Sequence, residues 1–183
     1  MIHKKEFYFV RHGQTDHNIG LTADPGDIPL NTRGQAQACE IEDIIASLPI
    51  KTVCCSPLKR AKETKEIVTA NLQAAHFEIA NLAECTGPIW DLMTALGPEA
   101  HLIADDPVRT FMQKALHGIN EALSQEGPVL IVSHGGIHWA MCCFMGVEHE
   151  WAIDNCVPVH FTLGDNGKWK AKKLSCSLSS KRC

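Results

Sequence analysis

No stretch of the 183 residues approaches the roughly 20 consecutive apolar residues that a membrane-spanning helix requires. The amino-terminal segment Met1-Ile2-His3-Lys4-Lys5-Glu6 passes directly into a short strand-like run and lacks the apolar centre of a secretory signal. No Cys-x-x-Cys occurs, and the nine cysteines are odd in number and partly adjacent, at Cys54-Cys55 and Cys142-Cys143. Several sit in apolar runs, where a thiol behaves as a small hydrophobe. A disulfide framework is therefore disfavoured, and a reducing, cytoplasmic compartment is expected. Positive charge is not in excess either: 17 Lys and Arg stand against 21 Asp and Glu, a net charge of -4. Neither a nucleic acid nor an anionic membrane suits such a surface as main partner. Any anion site has to be a local cluster of cations. Repeats and low-complexity linkers are also missing, so a single domain over 1–183 is expected.

What is present is an alternation of short apolar runs with longer amphipathic stretches. It predicts an α/β fold of three layers, a mainly parallel sheet flanked by helices, with a C-terminal β-hairpin at its edge. Strands are expected at 6–10, 52–55, 77–80 and 129–133, the last apolar on both faces. Helices are expected at 32–47, from the Ser56-Pro57 cap to about 71, after Asp106-Pro107, and at 136–146. The hairpin pairs 157–163 with 168–174 about Asp165-Asn166-Gly167. The small polar tail, about 176–183, is expected to fray.

Three expected strands end alike. They run out into Arg11-His12-Gly13, Ser56-Pro57-Leu58-Lys59-Arg60 and Ser133-His134-Gly135-Gly136. Ligands of open parallel sheets bind beyond the carboxyl ends of the strands. Two arginines and two histidines are thus delivered to one edge. Phosphoryl transfer is mostly positioning and charge stabilisation, and the guanidinium fork matches phosphoryl oxygens two at a time. Glycines after each histidine permit close backbone approach, and a following helix start adds N–H donors. Arginines beside His12 hold its ring neutral, because like charge lowers a histidine pKa. A neutral imidazole is a competent nucleophile.

Arg11-His12-Gly13-Gln14-Thr15-Asp16-His17-Asn18 resembles the RHGxTxxN signature of the histidine phosphatase superfamily, which includes phosphoglycerate mutases. Asp27-x-Pro29-Leu30 with Arg33-Gly34-Gln35-x-Gln37-Ala38 is similar to the family's next block. Ser56-Pro57-Leu58-x-Arg60-Ala61-x-x-Thr64 resembles SPLxRAxxT, and Val132-Ser133-His134-Gly135-Gly136 the closing VSHGG. The blocks fall in family order over nearly the whole chain.

The resemblance implies a metal-independent hydrolase without cofactor, in which His12 becomes phosphohistidine. Arg11, Arg60 and His134 would grip the phosphoryl oxygens, and Thr15, Asn18 and Gly135 would help bind the substrate. Glu84, in Leu82-x-Glu84-x-x-Gly87-x-x-Trp90, would be the proton donor, although the glycine falls one residue early for the family's LxExxxGxW block. Asp91 is the reserve donor. A different reading takes His134 and His138, at helical i and i+4 spacing, as zinc ligands, but the usual partner glutamate is absent. A catalytically silent phosphate-binding scaffold is the other alternative, and it would be expected to lose the nucleophile or the acid.

Between phosphatase and mutase, the stretch 66–108 decides. It holds Glu66, Glu78, Glu84, Asp91, Glu99, Asp105 and Asp106 without any Lys or Arg. The resemblance makes about 81–105 the lid, and an acidic lid would repel a second anionic group. Hydrolysis of a small-molecule phosphomonoester or a protein phosphoresidue is the expectation, with phosphoglycerate-mutase-type isomerisation the alternative.

Overall fold

The computed structural model describes residues 1–22, 26–147 and 153–175. Its strands are β1 (Phe7–Arg11), β2 (Thr52–Cys55), β3 (Ala75–Glu78), β4 (Val129–Ser133), β5 (Val159–Leu163) and β6 (Trp169–Lys173). They form a single sheet in the order β3-β2-β4-β1-β5-β6. The first four in that order are mutually parallel, and β5 and β6 add an antiparallel hairpin at the β1 edge. The helices are α1 (Thr32–Glu40), α2 (Glu42–Ala46), α3 (Lys59–Val68), α4 (Gly87–Leu96), α5 (Ala100–Ile103), α6 (Val108–Leu123) and α7 (Gly135–Met145).

Alternation along the strands builds two cores. Phe7, Phe9, Val129 and Ile131 pack under α6 and α7 with Ile119, Leu123, Ile137 and Met141. Tyr8, Val10, Val53, Leu130 and Val132 face the other way, against Ala38, Ile41, Ile45, Ala61 and Val68 of the α1–α3 layer. Burying each Val, Leu, Ile or Phe side chain contributes about 1.5–3 kcal/mol, so the central strands are anchored on both faces. All of β4 is buried, as expected of a strand covered twice, whereas edge strand β3 is exposed throughout.

Register aligns the strand ends. Val132 of β4 stands opposite Val10 on one side and Cys55 on the other. Beyond the strands, the His12 amide donates to Ser133 O at 2.9 Å and the Ser56 amide to Val132 O at 3.1 Å. Three loop starts therefore emerge side by side.

The elements depart locally from the sequence reading. The 32–47 helix is two helices, because the chain tightens at Ile41 (φ -105°, ψ -1°), whose amide turns back to Ala38 O. That break lets Ala38, Ile41 and Ile45 all reach one core. The helix expected from Pro57 begins at Lys59, after an extended Leu58. Its cap is remote: the Lys59 amide donates to Asp27 Oδ1 at 2.5 Å. Asp106 bonds the Thr110 hydroxyl, at 2.6 Å, instead of capping α6 through the backbone. Strand β3 starts two residues earlier than expected, in register with β2, and the hairpin strands are shorter. The expectation of a frayed tail over 176–183 lies outside the described residues.

Candidate active site

The loop after β1 is held against α1 at close quarters. A Cβ on Gly13 would overlap Gly34 O, and one on Gly34 would overlap Gln14 O, so both positions require glycine. Three bonds position the loop: Gly13 N–H to Thr64 Oγ1 (3.0 Å), Gln14 N–H to Gln37 Oε1 (2.9 Å) and Asn31 N–H to Gln14 O (3.0 Å). Thr64 also donates to Arg60 O at 2.7 Å, linking this loop to α3.

A cleft of about 270 Å³ opens beyond the strand ends. Arg11, His12, Thr15, Asn18, Arg60, Glu84 and Gly135 line it, together with His17, Cys85, Gly87, Trp90 and Ile153. His12 is nearly buried, and its Nδ1 lies 2.7 Å from Gly13 O. A carbonyl only accepts, so Nδ1 carries the proton and Nε2 keeps its lone pair. Burial first, then Arg11 and last Arg60, push the His12 pKa down to about 3, against an opposite pull from the Gly13 carbonyl that outweighs Arg60 alone. The expectation of a neutral ring named the arginines; the structure makes burial the larger cause.

Arg60, nearly buried, donates to Gly26 O at 3.0 Å, and Arg11 donates through one terminal nitrogen to Ile153 O at 2.7 Å. Arg11 Nε is buried with no hydrogen-bond partner among the described residues. His134 is fully buried and does not line the cleft; its ring centroid lies 5.1 Å from that of His12. Burial, with His12 and the two arginines, drives its pKa well below the usual value.

Glu84 arrives from the loop after a 3-10 turn, itself tied down where Ser133 Oγ donates to Leu82 O at 2.8 Å. Its carboxylate accepts from the Gly136 amide (3.1 and 3.2 Å) and the Cys85 amide (3.0 Å). A Cβ on Gly136 would overlap Glu84 Oε1, which explains the second glycine of the Gly135-Gly136 pair. Burial raises the Glu84 pKa, opposed by those two amides and by Arg11 and Arg60. Asp91, the reserve donor, is exposed and outside the cleft lining.

Thr15 and Asn18 meet each other: Asn18 Oδ1 accepts from the Thr15 amide (3.0 Å) and hydroxyl (3.2 Å). Asn155, which the sequence reading missed, donates to His12 O at 2.7 Å and approaches Asn18 Oδ1 at 3.5 Å. Ile153, also missed, contributes a backbone carbonyl, which no side-chain pattern could signal. Trp90, named in the sequence only as the end of the Glu84 block, forms a cleft wall. His134 and His138 occupy different surroundings, the latter packed on Phe9 and Phe161. Among the described residues no group of three or more His, Cys, Asp or Glu is placed to hold a metal.

The acidic lid needs correction. Of the seven acids over 66–108 only Glu84 lines the cleft. Glu66 and Glu78 pair with Lys65 and Lys62, Asp105 pairs with Arg109, and Asp91 is exposed and not among the lining residues. The charge count of the segment overstates the field at the site. Among the described residues, the cleft has no Lys or Arg beyond Arg11 and Arg60.

The profile of the histidine phosphatase superfamily (branch 1) matches residues 7–177. An agropine synthesis reductase of Rhizobium rhizogenes is 29% identical over 177 residues, which cover 87% of this chain and 40% of that protein. The chain thus spans about two fifths of that relative's length. The Bacillus subtilis protein named uncharacterized phosphatase PhoE is 38% identical over 151 residues, 77% of this chain and 78% of that one. Among solved structures, mycobacterial glucosyl-3-phosphoglycerate phosphatase superposes with a TM-score of 0.68 over 94% of this chain and 99% of that chain. Its 18% identity shows a shared fold and nothing finer.

Proposed function

Because the chain belongs to the histidine phosphatase superfamily, we propose that it hydrolyses phosphomonoesters through a phosphohistidine formed on His12. The observation that carries this reading is the His12 ring: neutral, with Nδ1 tied to Gly13 O and Nε2 without a hydrogen bond among the described residues, in a cleft lined by two arginines and a buried carboxyl. Nε2 attacks phosphorus while the bond to the leaving oxygen breaks, and Glu84 gives that oxygen its proton. The resulting Glu84 carboxylate then takes a proton from water as the water oxygen attacks phosphorus. The P–N bond breaks, and phosphate leaves with His12 restored.

Arg11 and Arg60 act on the charge that develops over the equatorial oxygens, where fixed donors in a dry site are worth most. The unpartnered Arg11 Nε supports that role. Thr15, Asn18 and Gly135 border the phosphoryl position. Hydrolysis is favoured over isomerisation because a mutase must hold a second anionic group, and among the described residues the cleft offers no further Lys or Arg for it.

The substrate class is a small phosphomonoester with an uncharged or apolar alcohol, for which Trp90 and Ile153 supply the wall. A protein phosphoresidue is the second candidate. The same proposal treats 1–183 as one domain with its lid at about 81–105. It places the enzyme in the cytoplasm, in keeping with seven free thiols among the described cysteines. Separately, no helix among the described residues is long and apolar enough to cross a membrane.

The test follows free phosphate and 2-phosphoglycerate together in a mixture of enzyme, 3-phosphoglycerate and a bisphosphoglycerate primer. Phosphate release with negligible isomerisation is expected. Fast isomerisation with little phosphate would replace the phosphatase reading by the mutase one.

A further inference from the structure

Ser56 opens the SPLxR block and reads in sequence as a helix cap, yet α3 is capped elsewhere and its hydroxyl is engaged differently. The residue is fully buried. Its Oγ accepts the Leu58 amide at 3.2 Å and lies 2.7 Å from Nε2 of His134. A hydroxyl has one proton and two acceptor positions. Leu58 occupies one acceptor position. Were Nε2 protonated, it would take the other, and the Ser56 proton would have to go to a third group. No further hydrogen bond of this hydroxyl exists among the described residues. That arrangement would strand a buried O–H in addition to Nδ1 of His134, whereas donation from the hydroxyl to Nε2 leaves Nδ1 as the single unsatisfied atom, the smaller cost.

We infer that Ser56 is a positioning residue: its hydroxyl donates to Nε2 and holds the neutral His134 ring as the Nδ1–H tautomer. The proton is then on the ring nitrogen that is buried without a partner among the described residues. The two rings, 5.1 Å apart, are thereby set for opposite tasks. On His12 the Gly13 carbonyl holds the proton at Nδ1 and leaves Nε2 as the electron pair that attacks. On His134 the Ser56 hydroxyl occupies Nε2 and leaves the proton on Nδ1, where it can donate to a phosphoryl oxygen of a bound substrate. The opposite tautomer would present a lone pair to those oxygens and oppose binding. This assignment rests on the proposed phosphatase reading for its purpose, but the tautomer itself is a property of the free protein.

The experiment uses the full chain labelled with 15N-histidine. Long-range 1H–15N spectra are recorded without ligand and with inorganic phosphate, for the native protein, Ser56→Ala and the conservative Ser56→Thr. The native His134 is expected to show a protonated Nδ1 that responds to phosphate. Ser56→Ala should mix the His134 tautomers, leave the His12 pattern in place and the protein folded though with a lower melting temperature, and lower kcat/KM roughly ten- to hundredfold, somewhat less than outright loss of one transition-state donor. Ser56→Thr should restore both spectrum and rate. A native His134 protonated at Nε2 would overturn the inference. So would a Ser56→Ala protein that keeps the Nδ1–H tautomer with kcat/KM within about twofold of native. Failure of the phosphatase reading would show separately, as a native protein that releases no phosphate while its tautomers match the inference.

Discussion

The two sides of the cleft are built differently. On the β1–β4–β2 side, side chains sit in a dense mesh: glycines meet backbone at van der Waals limits, and Thr64, Gln37 and Asn155 tie the catalytic loop to three other segments. On the α4–α5 side, Trp90 contributes a wall but its neighbours are loosely covered. Leu92, Leu102 and Ile103 are 52%, 72% and 55% exposed. A cage with each donor braced suits a step that depends on sub-ångström placement. A sparsely braced apolar wall suits the discrimination of leaving groups. On the proposed function, chemistry belongs to one side and selectivity to the other.

Damage to the cage should act on kcat and be severe. Glu84→Gln should slow hydrolysis of an alkyl phosphate by about 10²–10⁴, the usual worth of a general acid. Nitrophenyl phosphate, whose leaving group needs little protonation, should lose far less, and Asp91→Asn should change neither. Steady-state kinetics on both substrates separate the two carboxylates. The pH profile sharpens the assignment. His12 stays neutral down to about pH 3, so its protonation limits attack only near that value. Glu84 must be protonated to act; its raised pKa carries the acid form above the ordinary carboxylate range, and that form declines as pH rises. The kcat for alkyl phosphates should therefore fall with rising pH, and Glu84→Gln should flatten that limb.

Arg60→Ala removes one donor from the developing charge and should cost about 10²–10³ in kcat, the range seen for a single oxyanion donor. Lid changes should be smaller and substrate-dependent. Trp90→Ala should reduce kcat/KM for an aryl phosphate by up to about tenfold, an aromatic contact being worth roughly 0.5–1.5 kcal/mol, and leave methyl phosphate nearly unchanged. An equal loss on both would move Trp90 to the cage side. The smallest effect concerns charge. An uncharged phosphomonoester should exceed 3-phosphoglycerate in kcat/KM, and the gap should narrow modestly with salt, since exposed charges contribute only about a kcal/mol each. Chelators should leave activity unchanged; loss restored by zinc would revive the His134–His138 reading.

The same division governs what the sequence made legible. Arg11, His12 and Arg60 were legible because phosphoryl chemistry demands particular side chains at strand ends, Glu84 only through the family's block, and all four line the cleft. The two-sided burial of β4 was equally plain from its apolar run. Ile153 stayed hidden because it acts through a carbonyl that every residue possesses. Asn155 stayed hidden because it reaches His12 from a loop 143 residues away. The start of α3 was misplaced because its cap comes from Asp27, distant in sequence, while the local candidate Ser56 faces a histidine. Counting acids over 66–108 misjudged the lid for a related reason: a count registers charges but not their salt-bridge partners.

The covalent step is tested most directly by rapid acid-free quenching during turnover of a 32P-labelled phosphomonoester, followed by mapping of the labelled peptide. Label that survives base, is lost in acid and resides on His12, with both label and turnover abolished in a folded His12→Ala protein, is the expected result. Undiminished turnover by His12→Ala, or stable label on a different residue, would contradict the assignment of His12 as the nucleophile.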